Sequence, residues 1–219
     1  MFARILHSRF HFLGHRRMMI TAAVEGPTDE AVLRKVINFA GPSVGQVHGR
    51  NGKPHLLRSL AGFNHAAQFS PWVVLIDLDQ EACLLNAMQN WLPAPASLMC
   101  LRIAVRELEA WLLSDTERFS SFFSVSYDLI PTSPDTLDDP KQTLINLVRR
   151  SRRRAVREDI VPDPRLGQSI GPAYTTRLIE FLRDDEGWRV EVAIERSPSL
   201  RRAVAAIQAL ALRADQLRT

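Results

Sequence analysis

The chain has 219 residues, of which 46% are hydrophobic and 24% charged, enough apolar material for one sizeable core and too much for a disordered chain. No apolar run approaches the roughly 20 residues a membrane helix needs, so a cytoplasmic protein with no membrane partner is expected. The net charge of +4 is owed to Arg4, Arg9, Arg16 and Arg17, without which the 28 Lys+Arg equal the 24 Asp+Glu, so any affinity for nucleic acid must come from local patches.

Residues 1–18 read as a disordered basic tail. They lack a clean apolar stretch and a small-residue cleavage site, so they fit a secretory signal poorly. A transit peptide, or a translation start at Met18 or Met19, fits better. Residues 19–24 then read as a buried strand, and Gly26-Pro27-Thr28 turns the chain. Val32, Leu33, Val36, Ile37 and Ala40 recur at helical spacing up to Gly41-Pro42. Val44 to Val47 suggests a short strand, followed by a glycine-rich loop from Gly49 to Lys53 and a helix carrying Leu56, Leu57, Leu60 and Phe63.

Trp72-Val73-Val74-Leu75-Ile76 is the clearest strand, apolar on both faces as in a covered parallel sheet. Asp77-Leu78-Asp79 ends it. A helix with Leu84, Leu85, Met88 and Trp91 follows, then a strand over Leu98–Val105 and a helix from Glu107 to Leu113. Cys83 and Cys100 are the only cysteines. No zinc-ligand spacing accompanies them, and two buried thiols in a reducing compartment are expected. Trp72, Trp91 and Trp111 are expected in the core.

Strands alternating with helices imply an α/β fold with a mostly parallel sheet over residues 19–123. Residues 124–219 look different and are expected to form a helical extension packed on that core. A Ser/Pro/Asp-rich loop or linker (124–139) opens it. A helix from Asp139-Pro140 is expected to run through Arg149, Arg150, Arg152, Arg153, Arg154 and Arg157. A loop (161–172), a helix near 173–183 and a C-terminal helix from about 198 complete the chain.

Functional groups in open α/β sheets gather beyond the carboxyl ends of the strands. Glu25 follows the first strand, Asp77 and Asp79 end the central one, and Glu107 and Glu109 follow the next. At about 4 Å two carboxylates repel by roughly 4 kcal/mol at an effective dielectric near 20. Several converging carboxylates therefore need protons or a cation. All-oxygen ligands favour Mg2+ or Mn2+ over zinc, and such ions serve phosphodiester chemistry.

These residues resemble a family. The stretch Val24-Glu25-Gly26-Pro27-Thr28-Asp29-Glu30, the Asp77-Leu78-Asp79 strand end and Arg106-Glu107-Leu108-Glu109-Ala110-Trp111-Leu112-Leu113 resemble the Toprim domain, in the version found in OLD-family nucleases and the small bacterial DUF4276 proteins. The segments Asp139–Arg157 and Arg196–Arg202 are also similar to the latter group. The resemblance implies a Toprim, Rossmann-like sheet with Glu25, Asp29, Asp77, Asp79 and Glu109 as ligands of Mg2+ or Mn2+. It also implies Glu25 as a general acid or base, and a nuclease that cleaves DNA or RNA. A place in phage defence and an ABC- or AAA-type ATPase partner belong to the same implication, as does a non-catalytic module docking such a partner. OLD-type enzymes also use a downstream lysine. Lys141 lies in a different context, so no residue clearly matches it.

Two basic features complete the reading. Glycines around Lys53 let backbone N–H groups approach a phosphate, with Lys53 adding charge and serving catalysis or strand binding; Walker spacing is missing. On one continuous helix, Arg149, Arg150, Arg153 and Arg157 would share a face suited to bidentate phosphate contact. Glu158, Asp159 and the acids at 135–139 are the pairing partners if that face is merely solvated. Arg201 and Arg202 are expected to join the patch or cap the fold.

Overall fold

The computed structural model describes residues 17–77, 84–104 and 108–218. The expected basic tail up to residue 16, and Asp79, Cys83 and Glu107, lie outside the described residues.

Strands β1 (Met19–Val24) and β3 (Trp72–Asp77) are apolar apart from Thr21 and Asp77 and feed two cores. Side chains alternate across a strand. Ile20, Ala22, Val24, Val73 and Leu75 therefore point to one side, where helix α1 (Pro27–Ala40) packs through Val32, Leu33, Val36 and Ile37. Ala23, Trp72, Val74 and Ile76 point to the other, against Leu56 and Leu60 of helix α2 (Lys53–Ala66). Strand β2 (Ser43–Gly49), helix α3 (Leu84–Trp91) and strand β4 (Met99–Ala104) complete this half.

All pairings are parallel and the strand order is β2-β1-β3-β4. The chain is thus an α/β protein with helices on both faces of the sheet. From β1 the connection leads to the outer strand β2; from β3 it leads the opposite way, to β4. The order reverses between β1 and β3, and such a switch point opens a crevice at the carboxyl ends of the strands.

The remaining helices are α4 (Glu109–Leu113), α5 (Thr116–Phe123), α6 (Pro140–Val148), α7 (Arg154–Ile160), α8 (Tyr174–Arg183), α9 (Val190–Arg196) and α10 (Pro198–Gln216). They add no separate core. Phe119, Phe123, Leu144, Leu178, Phe181, Leu200 and Ile207 belong to the cluster built on the α1 face. Buried indoles stitch it together: Trp111 Nε1 donates to Ser199 Oγ at 2.7 Å, and Trp188 Nε1 to the Trp111 carbonyl at 2.9 Å. Among the described residues no helix is long and apolar enough to cross a membrane.

Several local expectations need correction. The arginine-bearing helix is broken: α6 ends at Val148, and α7 starts only at Arg154. Tertiary hydrogen bonds end it, because Ser151 Oγ donates to the Phe123 carbonyl and Arg152 N to the Ser124 carbonyl. The 124–139 stretch is no free linker, since Asp135 accepts from Ser197 Oγ, Ser199 N and Ser199 Oγ. Helix α5 was not expected, although Asp115 at its N-cap and Phe119/Phe123 four apart carry its signature. Helix α9 was likewise missed. Arg201 caps the carboxyl end of α9, its guanidinium donating to the Ile194 carbonyl at 2.8 Å.

Candidate metal centre

Glu25 directly follows β1, and its backbone is gripped by the loop after β2. Arg50 N donates to the Val24 carbonyl and Gly52 N to the Glu25 carbonyl, each at 3.0 Å. Gly49 makes the grip possible. It sits at φ +92, and a Cβ there would lie 2.1 Å from the Val24 carbonyl oxygen. With its backbone held, the Glu25 side chain reaches across the switch point and takes the Asp77 N–H on Oε1 at 2.9 Å.

Asp77 ends β3. Its Oδ1 is buried and has no hydrogen-bond partner. Asp29 stands in the first turn of α1 and takes the Gly26 N–H on Oδ2 at 2.6 Å, the inner half of a capping box. Glu109 opens α4 at 6% exposure. Its Oε1 accepts from Tyr174 Oη at 2.8 Å, with Lys141 Nζ at 4.0 Å.

These four carboxylates feel one another. Burial, then the charges of Glu25 and Glu109, push the Asp29 carboxyl up to about 7 against the pull of the Gly26 N–H. Burial, then Asp29, Glu109 and Glu25, push Asp77 well above the usual carboxylate range, and Lys141 pulls the other way. Burial in the crevice is the leading cause of both shifts, and like charge adds to it.

The donor set fits a hard divalent cation in kind: carboxylate oxygens only, mutual repulsion to relieve, and an orphaned Asp77 Oδ1. The carboxylates are not drawn into a ready cage. Among the described residues no three His, Cys, Asp or Glu side chains are grouped tightly enough to hold a metal ion. Glu25 and Asp29 each give an oxygen to a backbone N–H and Glu109 one to Tyr174.

Lys53 is the first residue of α2 rather than part of a loop. Its Nζ donates to the Asp77 carbonyl at 2.9 Å and lies 4.9 Å from the centre of the Trp91 ring. It therefore stands at the carboxyl end of β3. Trp72 and Trp111 are core residues, whereas Trp91 is half-buried.

Sequence reasoning misplaced Lys141 and overlooked Tyr174. Both come from the helical extension, and folding carries them 32 and 65 positions back to Glu109. The DPK segment, Asp139-Pro140-Lys141, was the available signal for Lys141: an N-cap, a first-turn proline, then the lysine.

The basic expectations divide. Arg149, Arg150, Arg152 and Arg153 are exposed at the turn between α6 and α7. Arg157 instead donates to the Ser151 carbonyl inside the turn. Arg154 pairs with Glu158 and Arg177 with Asp159. Arg149, Arg150, Arg153 and Arg157 do not share a helix face; the first three stand exposed at one turn. Cys100 is a buried thiol held up to about 11, chiefly by burial.

No family model, curated protein or solved structure matches the chain.

Proposed function

We propose that this chain is a Mg2+- or Mn2+-dependent nuclease of Toprim type, related to the OLD-family and DUF4276 proteins, that hydrolyses DNA or RNA phosphodiesters in the cytoplasm. One observation carries the reading. Four carboxylates from separate elements lie near enough to one another, beside the switch point of a parallel sheet, to interact through charge, and burial first and their repulsion second raise Asp29 and Asp77.

Glu25, Asp29, Asp77 and Glu109 would hold the cation, joined by Asp79 two residues beyond Asp77. When bound, the cation neutralises phosphate charge and polarises the phosphorus–oxygen bonds. The chain's own residues supply the rest. Glu25 accepts the proton of the attacking water. Lys53, beside the Asp77 carbonyl, and Lys141, beside Glu109, draw the phosphate in and offset charge on the leaving oxygen. Tyr174 fixes the rotamer of Glu109. The phosphorus gains the water oxygen and loses one ester oxygen, which takes a proton from solvent as Glu25 returns its own there.

A second reading is a non-catalytic module that docks an ABC- or AAA-type ATPase, with the crevice holding a structural cation. It is favoured by the internal donors that already occupy Glu25, Asp29 and Glu109. Incubating the purified chain with labelled DNA and RNA in Mn2+ or Mg2+, alone and with a candidate ATPase, separates the two. The nuclease reading expects cleavage that Asp77→Asn abolishes. Binding of the ATPase with no cleavage under any condition supports the docking module.

A further inference from the structure

A cavity of about 420 Å³ lies beside the α6–α7 turn, lined by Ser120, Ser121, Ser124, Val125, Ser126, Tyr127 and Arg152. No acid is among its lining residues, and neither the acidic crevice nor the expected arginine face includes its serines or its tyrosine. Its shape is built rather than incidental. Ser124 adopts a left-handed conformation at the end of α5, Ser120 Oγ donates to the Val125 carbonyl at 2.8 Å, and Arg152 N donates to the Ser124 carbonyl at 2.9 Å. That last bond fixes the backbone of Arg152 at the cavity while its side chain stays exposed.

Serine and arginine residues lining one hollow suit phosphate oxygens. Tyr127 is 50% exposed. Its hydroxyl accepts from Arg196 Nη2 at 3.1 Å, and the Arg196 guanidinium stands 6.0 Å from the ring centre. An aromatic ring beside a hollow that holds one arginine is the pairing that single-stranded nucleic acid uses, base on ring and backbone on charge. Arg149, Arg150 and Arg153 extend the positive surface along the same turn.

Helix α6 relates this hollow to the acidic crevice. Lys141 near its start faces Glu109, and Arg149 caps its other end. At roughly 1.5 Å per residue they stand about 12 Å apart along the axis.

We propose that the cavity lined by Ser121, Ser124, Ser126, Tyr127 and Arg152 is a subsite for one nucleotide of a single strand whose reacting phosphodiester lies at the other end of α6. The inference deepens the nuclease reading and rests on it for the class of ligand. Arg152 and the serine hydroxyls take the phosphate, and Tyr127 stacks the base.

The test is fluorescence anisotropy of the full chain with a short labelled single-stranded oligonucleotide in EDTA, where cleavage cannot intervene, across a salt series. Arg152→Gln is expected to weaken binding about tenfold and to lower the salt slope by about 1. Tyr127→Leu is expected to weaken binding with the salt slope unchanged, because stacking is not a charge effect; circular dichroism melting checks that both variants fold. Unchanged affinity in folded Arg152→Gln, no binding by the parent chain, or equally tight, Arg152-dependent binding of polyglutamate would each overturn the subsite. Arg152-dependent binding without cleavage in Mn2+ upholds the subsite and removes the nuclease reading. Cleavage with Arg152-independent binding does the reverse.

Discussion

The backbone N–H of Asp77 donates to Glu25 Oε1 at 2.9 Å, tying the ends of two neighbouring parallel strands where the chain's connections part in opposite directions. The bond draws a glutamate from one strand end onto the backbone of an aspartate from another, although 52 positions separate them. The Glu25 charge also pushes the buried Asp77 carboxyl upward. The acidic crevice thus carries built-in repulsion, and its relief by protons, amides or cations is measurable.

Asp77→Asn exchanges a buried, partnerless carboxylate oxygen for a neutral amide. Without divalent cation at neutral pH, the variant is expected to be more stable by on the order of 1 kcal/mol, a rise of about 2–4 °C in Tm for a chain of this size. The rise in Tm that Mn2+ gives the parent should vanish. Scanning calorimetry with and without Mn2+ reads both effects, and a surviving Mn2+ response would remove Asp77 from the ligand set.

Stability should fall as pH rises from about 4 to about 7. The Asp29 carboxyl has its ordinary value of 3.8 in the unfolded chain and about 7 in the fold. Between those values the folded chain binds more protons than the unfolded one. The protonated carboxyl therefore contributes its full stability below the lower value, and loses it as pH climbs through the higher one. Urea midpoints measured across this range should fall in the parent and fall less in Asp29→Asn, whose amide oxygen still caps the helix. Mg2+ should flatten the parent's slope.

Much of this architecture was legible in the chain. The two-sided apolar runs of β1 and β3, and the helical periodicity of α1, mark a covered parallel sheet, and acids at its strand ends mark the crevice. The contributions of Lys141 and Tyr174 were not legible, because no local pattern tells which distant helix will close over Glu109. The break between α6 and α7 was hidden for a related reason. Neither Gly nor Pro interrupts residues 149–153; bonds from Ser151 and Arg152 to the end of α5 stop the helix. Tertiary partners overrode a helical propensity that arginine otherwise favours.

Gly49→Ala should be among the most damaging single-methyl changes. The added Cβ would fall 2.1 Å from the Val24 carbonyl oxygen, at a positive φ that side chains rarely adopt. Relieving the clash means moving the loop that grips the Glu25 backbone. A loss of about 2–4 kcal/mol in urea unfolding is expected, together with loss of the Mn2+ response. Gly62→Ala, where a Cβ meets nothing within 4 Å on an α2 position, should instead be neutral or mildly stabilising.

Tyr174→Phe removes only the hydroxyl that donates to the buried Glu109. A hydrogen bond to a charged group is worth about 1.5–3 kcal/mol, and that loss should appear in urea unfolding. If Tyr174 also fixes the Glu109 rotamer for a cation, the Mn2+ concentration at half-maximal stabilisation should rise. A change in stability alone would limit Tyr174 to a structural hydrogen bond with Glu109.

Lys141→Met tests the link between the helical extension and the chemistry. Lys141 Nζ stands 4.0 Å from Glu109 Oε1, and the lysine side chain is 40% exposed, so its removal should leave the core intact. Its charge opposes the upward push on Asp77, and methionine keeps the aliphatic stem. Apo stability at neutral pH should therefore change little or fall slightly, as one more negative neighbour goes unanswered. Cleavage, by contrast, should drop by about 10²–10³, the cost of losing one group aimed at developing charge. Single-turnover assays over a range of oligonucleotide concentrations distinguish a drop in rate from a loss of binding. A folded Lys141→Met that cleaves at the parental rate would confine Lys141 to neutralising Glu109.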